Sequence, residues 1–404
     1  MFELTKIRSD FPILSKKRNE KPFIYFDNAA TTQKPKEVIN EICDFYTSYN
    51  SNVERGMYFL ADKSTKKFNN TRSVVRSFLN ARFNEEIIFT SGCTQSINMV
   101  CFGFLSKLIK PGDEILIGKM EHHANLVPWQ VASSTLQAKL IPLESSKNGI
   151  IDISDLKKKI NRRVKFIAIQ HISNITGHEN NIQEICSIAH NHNAFVLVDG
   201  AQAVSHIPVN VDGLNCDFYC FSGHKCFGPT GVGVLYGKKD LLMRMDPLLF
   251  GGNMIKTVSF YKSSLGDLPQ KLEAGTPNIA GVIGLGAAIN YILSLGVGNI
   301  KLAEEVLIKK MWSALKSLDS VSLPITTAPN SPIFSFSVNG VHSYDVGTLL
   351  DEMNICVRTG SLCAQPGIKE LNNTSFIRAS LCFYNTENEI DVFLSALKKV
   401  IKLL

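Results

Sequence analysis

Between residues 86 and 236, short apolar runs alternate with helical patterns, and this alternation limits the possible folds more than any other feature of the chain. Helical patterns such as those at 95–109 and 182–191 separate most of the runs. Strands that alternate with helices form a mainly parallel sheet with helices on both faces, which is an α/β fold. The seven predicted strands are 86–90, 114–118, 139–143, 165–172, 194–199, 217–222 and 231–236.

Polar side chains follow two neighbouring strands where each apolar run stops. Asp199 ends the fifth run and Gln202 lies just beyond it, while Ser222 ends the sixth run and precedes His224 and Lys225. In open α/β sheets, ligands bind at the carboxyl ends of strands. This set of groups fits a pyridoxal phosphate site, in which the lysine binds the cofactor covalently and the aspartate faces the pyridine nitrogen. The alternative is that Asp199 caps a helix and Lys225 lies on the surface.

The 404 residues are enough for two packed domains. We predict a large cofactor-binding domain at 21–294 and a smaller α+β domain at 295–404, with strands at 333–338 and 355–358 and a last helix at 387–404. The first 20 residues are predicted to form a segment that packs on the small domain.

Charge and apolar patterning exclude several classes of function. The net charge of +7 comes from scattered residues, with no basic stripe interleaved with aromatics, so nucleic-acid binding is not expected. No apolar run reaches the length of about 20 residues that spans a bilayer, so no membrane association is expected. The N-terminus lacks a signal-peptide apolar core and carries Glu3 and Asp10, unlike transit peptides. We therefore predict a cytoplasmic protein.

The chain has ten cysteines, which need not form disulfides in a cytoplasmic protein. No C-x-x-C pair is present, and the spacing near His224 fits zinc ligands poorly, so no metal site is predicted. Most cysteines lie in apolar runs and are predicted to be small core residues; these are Cys43, Cys101, Cys186, Cys220, Cys356 and Cys382.

Cys363 lies in a different context from these cysteines. Its neighbours Gly360, Pro366 and Gly367 indicate an exposed loop. Reactive cysteines need solvent access and positive surroundings, and Arg358 is close in sequence. Cys363 is therefore a candidate nucleophile, with an incidental exposed thiol as the alternative.

Sequence motifs along the whole chain resemble one family in their order. The motifs are Y-F-D-N-A-A from Tyr25, E-H-H-A-N from Glu121, D-G-A-Q from Asp199, S-G-H-K from Ser222, E-A-G-T-P-N from Glu273, Y-D-V-G from Tyr344, R-T-G-x-x-C from Arg358 and R-A-S from Arg378. The chain resembles the SufS-like cysteine desulfurases of the class V aminotransferase group, which are fold type I pyridoxal phosphate enzymes. The resemblance implies conversion of L-cysteine to L-alanine, with the sulfur held as a persulfide on Cys363 and passed to an acceptor protein of the SufE or SufU kind for iron–sulfur cluster assembly.

The resemblance also implies roles around the cofactor ring. Lys225 would bind the cofactor and Asp199 would face the ring nitrogen. His122 would stack on the ring, and Asn174 and Gln202 would lie near its phenolic oxygen, Asn174 also near the substrate.

The cofactor phosphate is assigned to the turn before the helix at 95–109. Amides at a helix N-terminus bind anions, and Thr94 could add a hydroxyl, although such a turn is often only a cap. Ser222 and His224 are further predicted donors. By resemblance, Thr276 reaches the phosphate of the neighbouring subunit, which implies a homodimer with a shared site.

Arg378 is the candidate clamp for the substrate carboxylate, because guanidinium binds carboxylate through two parallel hydrogen bonds. A surface salt bridge is the alternative. Arg358 is a second candidate substrate contact.

The chain departs from the family pattern at several positions. Glu54 and Tyr58 stand where the family has histidines, as do Ser361 and Leu362 relative to some members. These changes leave the reaction type in place and put rate and substrate preference in question. The alternatives are a selenocysteine lyase on the same scaffold and a non-catalytic sulfur-carrier scaffold that binds pyridoxal phosphate.

Overall fold

A computed structural model describes residues 3–404. Its centre is one seven-stranded sheet. In chain order the strands are β1 Ile87–Thr90, β2 Glu114–Gly118, β3 Lys139–Leu143, β4 Val164–Gln170, β5 Phe195–Asp199, β6 Phe218–Ser222 and β7 Gly233–Gly237. Their spatial order is β1-β7-β6-β5-β4-β2-β3. Neighbouring strands from β6 to β3 in this order pair in parallel, while β7 is antiparallel to both β6 and β1. The prediction of a mainly parallel seven-stranded sheet is confirmed.

Helices cover both faces of this sheet. Successive side chains of each strand point to opposite faces, and apolar side chains on both faces have to be buried. In β5, Val196 and Val198 join one hydrophobic cluster and Leu197 joins the other. The helices are Leu4–Ser9, Lys36–Asp44, Phe59–Phe78, Cys93–Met99, Ser106–Leu108, Val127–Thr135, Ile153–Lys159, Ile182–Asn191, Val211–Leu214, Lys239–Arg244, Ile279–Leu295, Val297–Lys316, Ser343–Glu352, Gln365–Glu370 and Glu387–Leu403.

Shorter helical turns extend or connect these helices. Two π-helical segments, Phe45–Tyr49 and Val100–Leu105, continue the helices before them. The 3₁₀ turns are Pro12–Ser15, Asn84–Glu86, His123–Asn125, Gly223–Lys225 and Gln270–Leu272.

A second, four-stranded antiparallel sheet lies in the C-terminal part of the chain. Its order is Val321–Ser322, Ile333–Val338, Phe376–Ser380 and Arg358–Gly360. The strand predicted at 355–358 is instead two strands, because Ile355–Cys356 pairs in parallel with a separate strand, Ile24–Tyr25. The remaining strands form two small hairpins, Lys17–Arg18 with Lys21–Pro22 and Ile255–Val258 with Ser263–Leu265.

The N-terminal segment contacts both parts of the molecule. Phe11 is fully buried between Phe227 and Tyr384, with ring centroids 6.3 and 4.6 Å away. Arg8 forms an ion pair with Glu389 of the last helix at 3.0 Å. The division at residues 20 and 294 remains a prediction.

Two further sequence predictions concern the burial of Cys43 and the lack of a membrane-spanning segment. Cys43 is exposed, so its assignment to the core was wrong; it lies on the solvent side of a helix whose buried residue is Val38. Within residues 3–404, no single helix is long and apolar enough to cross a membrane; only the bent pair Ile279–Leu295 and Val297–Lys316 reaches that length and composition when taken together.

Candidate active site

A cavity of about 300 Å³ lies at the carboxyl ends of the central strands, between the sheet and the segment around Cys363. The predicted site residues that line it come from three parts of the sequence, at 94–122, 174–225 and 358–378. They are Thr94, His122, Asn174, Asp199, Gln202, Ser222, His224, Lys225, Arg358, Cys363 and Arg378.

Asp199 is the last residue of β5 and is almost fully buried. Its Oδ1 accepts hydrogen bonds from the Ala201 amide at 2.9 Å and from the Cys93 thiol at 3.2 Å. No hydrogen bond within residues 3–404 reaches its Oδ2. The carboxylate is therefore held by one oxygen and offers the other to the cavity.

Lys225 follows β6 through the tight turn Gly223–Lys225. Across the described residues, its Nζ makes no hydrogen bond and no ion pair. Burial lowers the pKa of Lys225, and the nearby Asp199 carboxylate opposes that shift. The amine is thus placed at the strand end without a partner that would block its reaction.

Two imidazoles beside the lysine are neutral at physiological pH. Burial, followed by the charge of Lys225, lowers the pKa of His122 to about 4. The same two causes, with a further contribution from Lys34, lower the pKa of His224 to about 4. His122 accepts the Ala124 amide at Nδ1, which fixes its ring orientation.

The turn after β1 packs tightly against the end of β6 and the start of β7, where Gly233 pairs with Ser222. A Cβ on Gly233 would lie 2.5 Å from the Gly92 Cα, so glycine is required for this close approach. Ser222 Oγ accepts the Cys93 amide at 2.8 Å, and the N-cap residue Gly92 has no side chain to cap the next amides of the helix that begins at Cys93. Helix amides left uncapped at an N-terminus are an anion-binding arrangement.

Two arginines that share one aspartate partner, Asp27, also line the cavity. Arg378 is buried and donates to the Asn174 carbonyl at 3.1 Å and to Asp27 at 3.4 Å, and burial lowers its pKa to about 10. Arg358 binds the same Asp27 carboxylate through two hydrogen bonds of 3.1 and 2.8 Å. Both guanidinium groups remain charged near neutral pH.

The loop that carries Cys363 is held in an unusual backbone conformation. Leu362 and Cys363 have φ values of 50° and 54°, a region that costs an L-residue about 1–2 kcal/mol. Asn174 Nδ2 donates to the Leu362 carbonyl at 2.8 Å, and the His123 amide donates to the Cys363 carbonyl at 2.7 Å. The Leu362 side chain is buried, so the loop is anchored while the Cys363 thiol stays exposed at the cavity.

Comparison with known proteins identifies the family of the chain. The model of the family described as "Aminotransferase class-V" matches residues 24–393. The chain belongs to the class V aminotransferase family. It is 43% identical over 394 residues, 98% of this chain and 97% of the relative, to a probable cysteine desulfurase of Halalkalibacterium halodurans. It is 42% identical over 407 residues, the full length of both chains, to a cysteine desulfurase of Escherichia coli K12.

Solved structures show the same likeness. The crystal structure of the cysteine desulfurase CsdA of Escherichia coli superimposes with a TM-score of 0.94 at 37% identity, over 100% of both chains. The apo cysteine desulfurase of Thermococcus onnurineus gives a TM-score of 0.94 at 38% identity, over 100% of this chain and 99% of the other.

Pyridoxal phosphate is the cofactor of this class V family, and the residues of the cavity fit it. Asn174 Oδ1 and Arg378 Nε are buried and have no hydrogen-bond partner within residues 3–404. Buried polar atoms are normally hydrogen-bonded, so these two residues of the cavity lining fit a site for a polar ligand. Lys225 and Asp199 line the same cavity. The donor set is that of a lysine-linked pyridoxal group.

Thr276 is the one predicted site residue that the single chain does not bring to the cavity. It is exposed and lines a different cavity of about 240 Å³, together with Arg55 and Asn253. Its predicted role required a neighbouring subunit, so that role remains a prediction.

Sequence reasoning missed several residues of the site. Asp27, inside the Y-F-D-N-A-A motif, joins the two arginines, and Lys34 donates to the His224 carbonyl at 2.9 Å. Cys93 contacts Asp199 from within the turn assigned to the phosphate. The signal for Asp27 is an acidic residue inside a family motif. Lys34 and Cys93 have no local signal, because their contacts join residues more than 100 positions apart.

Proposed function

We propose that this class V aminotransferase is a cysteine desulfurase that converts L-cysteine to L-alanine and holds the sulfur as a persulfide on Cys363. One observation carries the proposal: the Cys363 thiol and the Lys225 amine, 138 positions apart in sequence, line the same cavity of about 300 Å³. A plain aminotransferase has no use for an exposed thiol at that place. The relatives named cysteine desulfurase support the assignment.

The residues that would hold the cofactor line the cavity. Lys225 would attach it, Asp199 would face its ring nitrogen and His122 would stack on its ring. The turn at Thr94, with Ser222 and His224, would take its phosphate, and Gln202, which donates to the Ala29 carbonyl at 2.7 Å, would lie beside its ring. When bound, pyridoxal phosphate supplies an electron-accepting ring that stabilises negative charge at the substrate Cα.

Arg378 orients the substrate. Its unpartnered Nε and its position beside Asn174 make it the group that binds the α-carboxylate of L-cysteine. Arg358, tied to Asp27, keeps a second positive charge at the cavity mouth. Once the substrate amine has replaced it on the cofactor, the free amine of Lys225 would remove the Cα proton, a task that suits a lysine whose pKa is lowered by burial.

Cys363 takes the sulfur. Its thiolate attacks the substrate sulfur, an S–S bond forms as the Cβ–S bond breaks, and the substrate carbon is protonated to give L-alanine. One L-cysteine and one Cys363 thiol thus yield one L-alanine and one Cys363 persulfide.

The test is alanine formation from L-cysteine by wild type, Cys363→Ala and Cys43→Ala proteins. We expect Cys363→Ala to keep the cofactor absorbance and to lose sulfur transfer, while Cys43→Ala, which removes another exposed thiol, behaves as wild type. Full activity in Cys363→Ala would exclude the nucleophile. A preference for selenocysteine, measured as selenide against sulfide release, would favour the lyase alternative.

We also infer a homodimer and a protein acceptor. Supporting the dimer, the segment at 57–60 and the hairpin tip at 258–261 expose large apolar side chains, with Met57, Phe260 and Tyr261 fully exposed. Supporting an acceptor, Cys363 lies at the surface, where a second thiol can reach the persulfide. A monomer in sedimentation measurements, or release of sulfide without transfer to a SufE-type or SufU-type protein, would contradict these two inferences.

A further inference from the structure

Cys93 lies directly behind the aspartate of the candidate site. It is the first residue of the helix Cys93–Met99, it is 5% exposed, and its Sγ lies 3.2 Å from Asp199 Oδ1. Within residues 3–404 it is the only side chain that donates to this carboxylate. The other donor to Oδ1 is the Ala201 backbone amide.

A second thiol lies beside the first. Cys220 of β6 is fully buried, and its Sγ lies 3.1 Å from that of Cys93. Burial raises the pKa of Cys220, and the contact with Cys220, burial and the Asp199 charge raise that of Cys93. Both groups are therefore thiols, and the S–H of Cys93 is available to Asp199.

The three side chains also hold the atom types of a soft-metal site. Two thiolates on a tetrahedral zinc, with Zn–S distances of about 2.3 Å, lie about 3.8 Å apart. The sulfur atoms here are 3.1 Å apart in a tightly packed core, which is too close for two such ligands.

We propose that Cys93 is a positioning residue for Asp199: its thiol donates to Oδ1, fixes the rotation of the carboxylate, and directs Oδ2 at the ring nitrogen of the cofactor. The inference rests on the proposed function only in taking pyridoxal phosphate as the ligand. It adds a role for the helix start that was assigned to the phosphate. The same turn would then act at both ends of the cofactor. Its amides would bind the phosphate, and this thiol would act on the ring nitrogen through Asp199.

The first test measures pyridoxal phosphate affinity and the pH midpoint of the bound cofactor's visible absorbance. For Cys93→Ala we expect about 10-fold weaker binding and a shifted midpoint, since a hydrogen bond to a charged group is lost. Cys93→Ser, which keeps a donor, should restore both values. Cys220→Ala, the matched control, should lower thermal stability and leave both values near wild type.

A second test uses the apoprotein and needs no activity. The infrared S–H stretching band that Cys93→Ala removes should be shifted by hydrogen bonding in wild type and should move when Asp199→Asn is introduced. Unchanged affinity and midpoint in Cys93→Ala, equal defects in Cys93→Ala and Cys93→Ser, or an S–H band that ignores Asp199→Asn would each overturn the proposal. Failure of the wild type to bind pyridoxal phosphate at all would instead refute the proposed function.

Discussion

The strand-end region around Asp199 and Lys225 and the loop around Cys363 reach the same cavity by different physical means. Asp199 and Lys225 follow buried strands whose pairing fixes their positions. Cys363 lies on an exposed loop in a left-handed conformation, anchored by a few hydrogen bonds and one buried leucine. We infer that the sheet supplies the cofactor site, while the loop supplies the nucleophile and keeps its thiol exposed for delivery of sulfur.

The largest expected effect is at the strand end. Lys225→Ala removes both the attachment point of the cofactor and the base for the Cα proton, so we expect activity to fall by at least about 10³-fold. Cofactor should be lost on dialysis. The control is Lys239→Ala, a half-buried lysine that begins the helix after β7 and pairs with Glu85. Activity within tenfold of wild type in Lys225→Ala would break the assignment of this region.

Lys34 tests the cost of charge burial beside the same strand end. Burial lowers the pKa of Lys34 from 10.5 to about 8. The folded protein binds fewer protons there than the unfolded chain between these values, so this contribution to the free energy of unfolding rises with pH in that window and is constant below it. A shift of this size corresponds to about 3 kcal/mol.

We therefore expect the difference in unfolding free energy between wild type and Lys34→Met to rise by up to ~3 kcal/mol from pH 8 to about pH 10.5. Denaturant melts across this range measure it. The exposed Lys36→Met variant should give a flat difference. A flat difference for Lys34→Met as well would mean that its ammonium is not desolvated.

Asn174 connects the two regions, because it holds the Leu362 carbonyl with one side-chain atom and offers the other to the cavity. For Asn174→Ala we expect kcat/KM for L-cysteine to fall about 10- to 100-fold through loss of positioning, with cofactor content unchanged. Asn69→Ala, at an exposed position of the helix Phe59–Phe78, serves as the control. Loss of cofactor in Asn174→Ala would place its main role at the ring rather than at the loop.

The smallest effect concerns the loop backbone. Cys363→Gly should be more stable than Cys363→Ala by about 0.5–1 kcal/mol, because glycine adopts the left-handed conformation without the steric cost, less its own entropy cost. Thermal melts of the two inactive variants compare them directly. Equal or reversed stabilities would show that the loop is unstrained in solution.

The sequence was sufficient for the sheet and for the residues that end its strands. Apolar runs with helical spacers recovered all seven strands, with bounds within two residues, and Asp199 and Ser222 end β5 and β6 as expected. The spacing of apolar residues within each segment determines whether it forms a strand or a helix, so the sequence of the segment alone indicates these strands and their ends.

The loop and its supports depend on distant contacts that no local pattern reports. The strand predicted at 355–358 divides because one half pairs with Ile24–Tyr25 and the other with Phe376–Ser380. The anchor from Asn174 to Leu362 spans 188 positions. The contact of Cys93 with Asp199 spans 106 positions, within a turn whose sequence indicates only a helix start.

The most direct test of the account asks whether the two regions act on one substrate molecule. Wild-type protein and Lys225→Ala, each supplied with pyridoxal phosphate and one equivalent of L-cysteine, are digested under non-reducing conditions and the Cys363 peptide is analysed by mass spectrometry. We predict one added sulfur atom on Cys363 in wild type and none in Lys225→Ala. An unmodified Cys363 in active wild type, or equal modification in both proteins, would contradict the account.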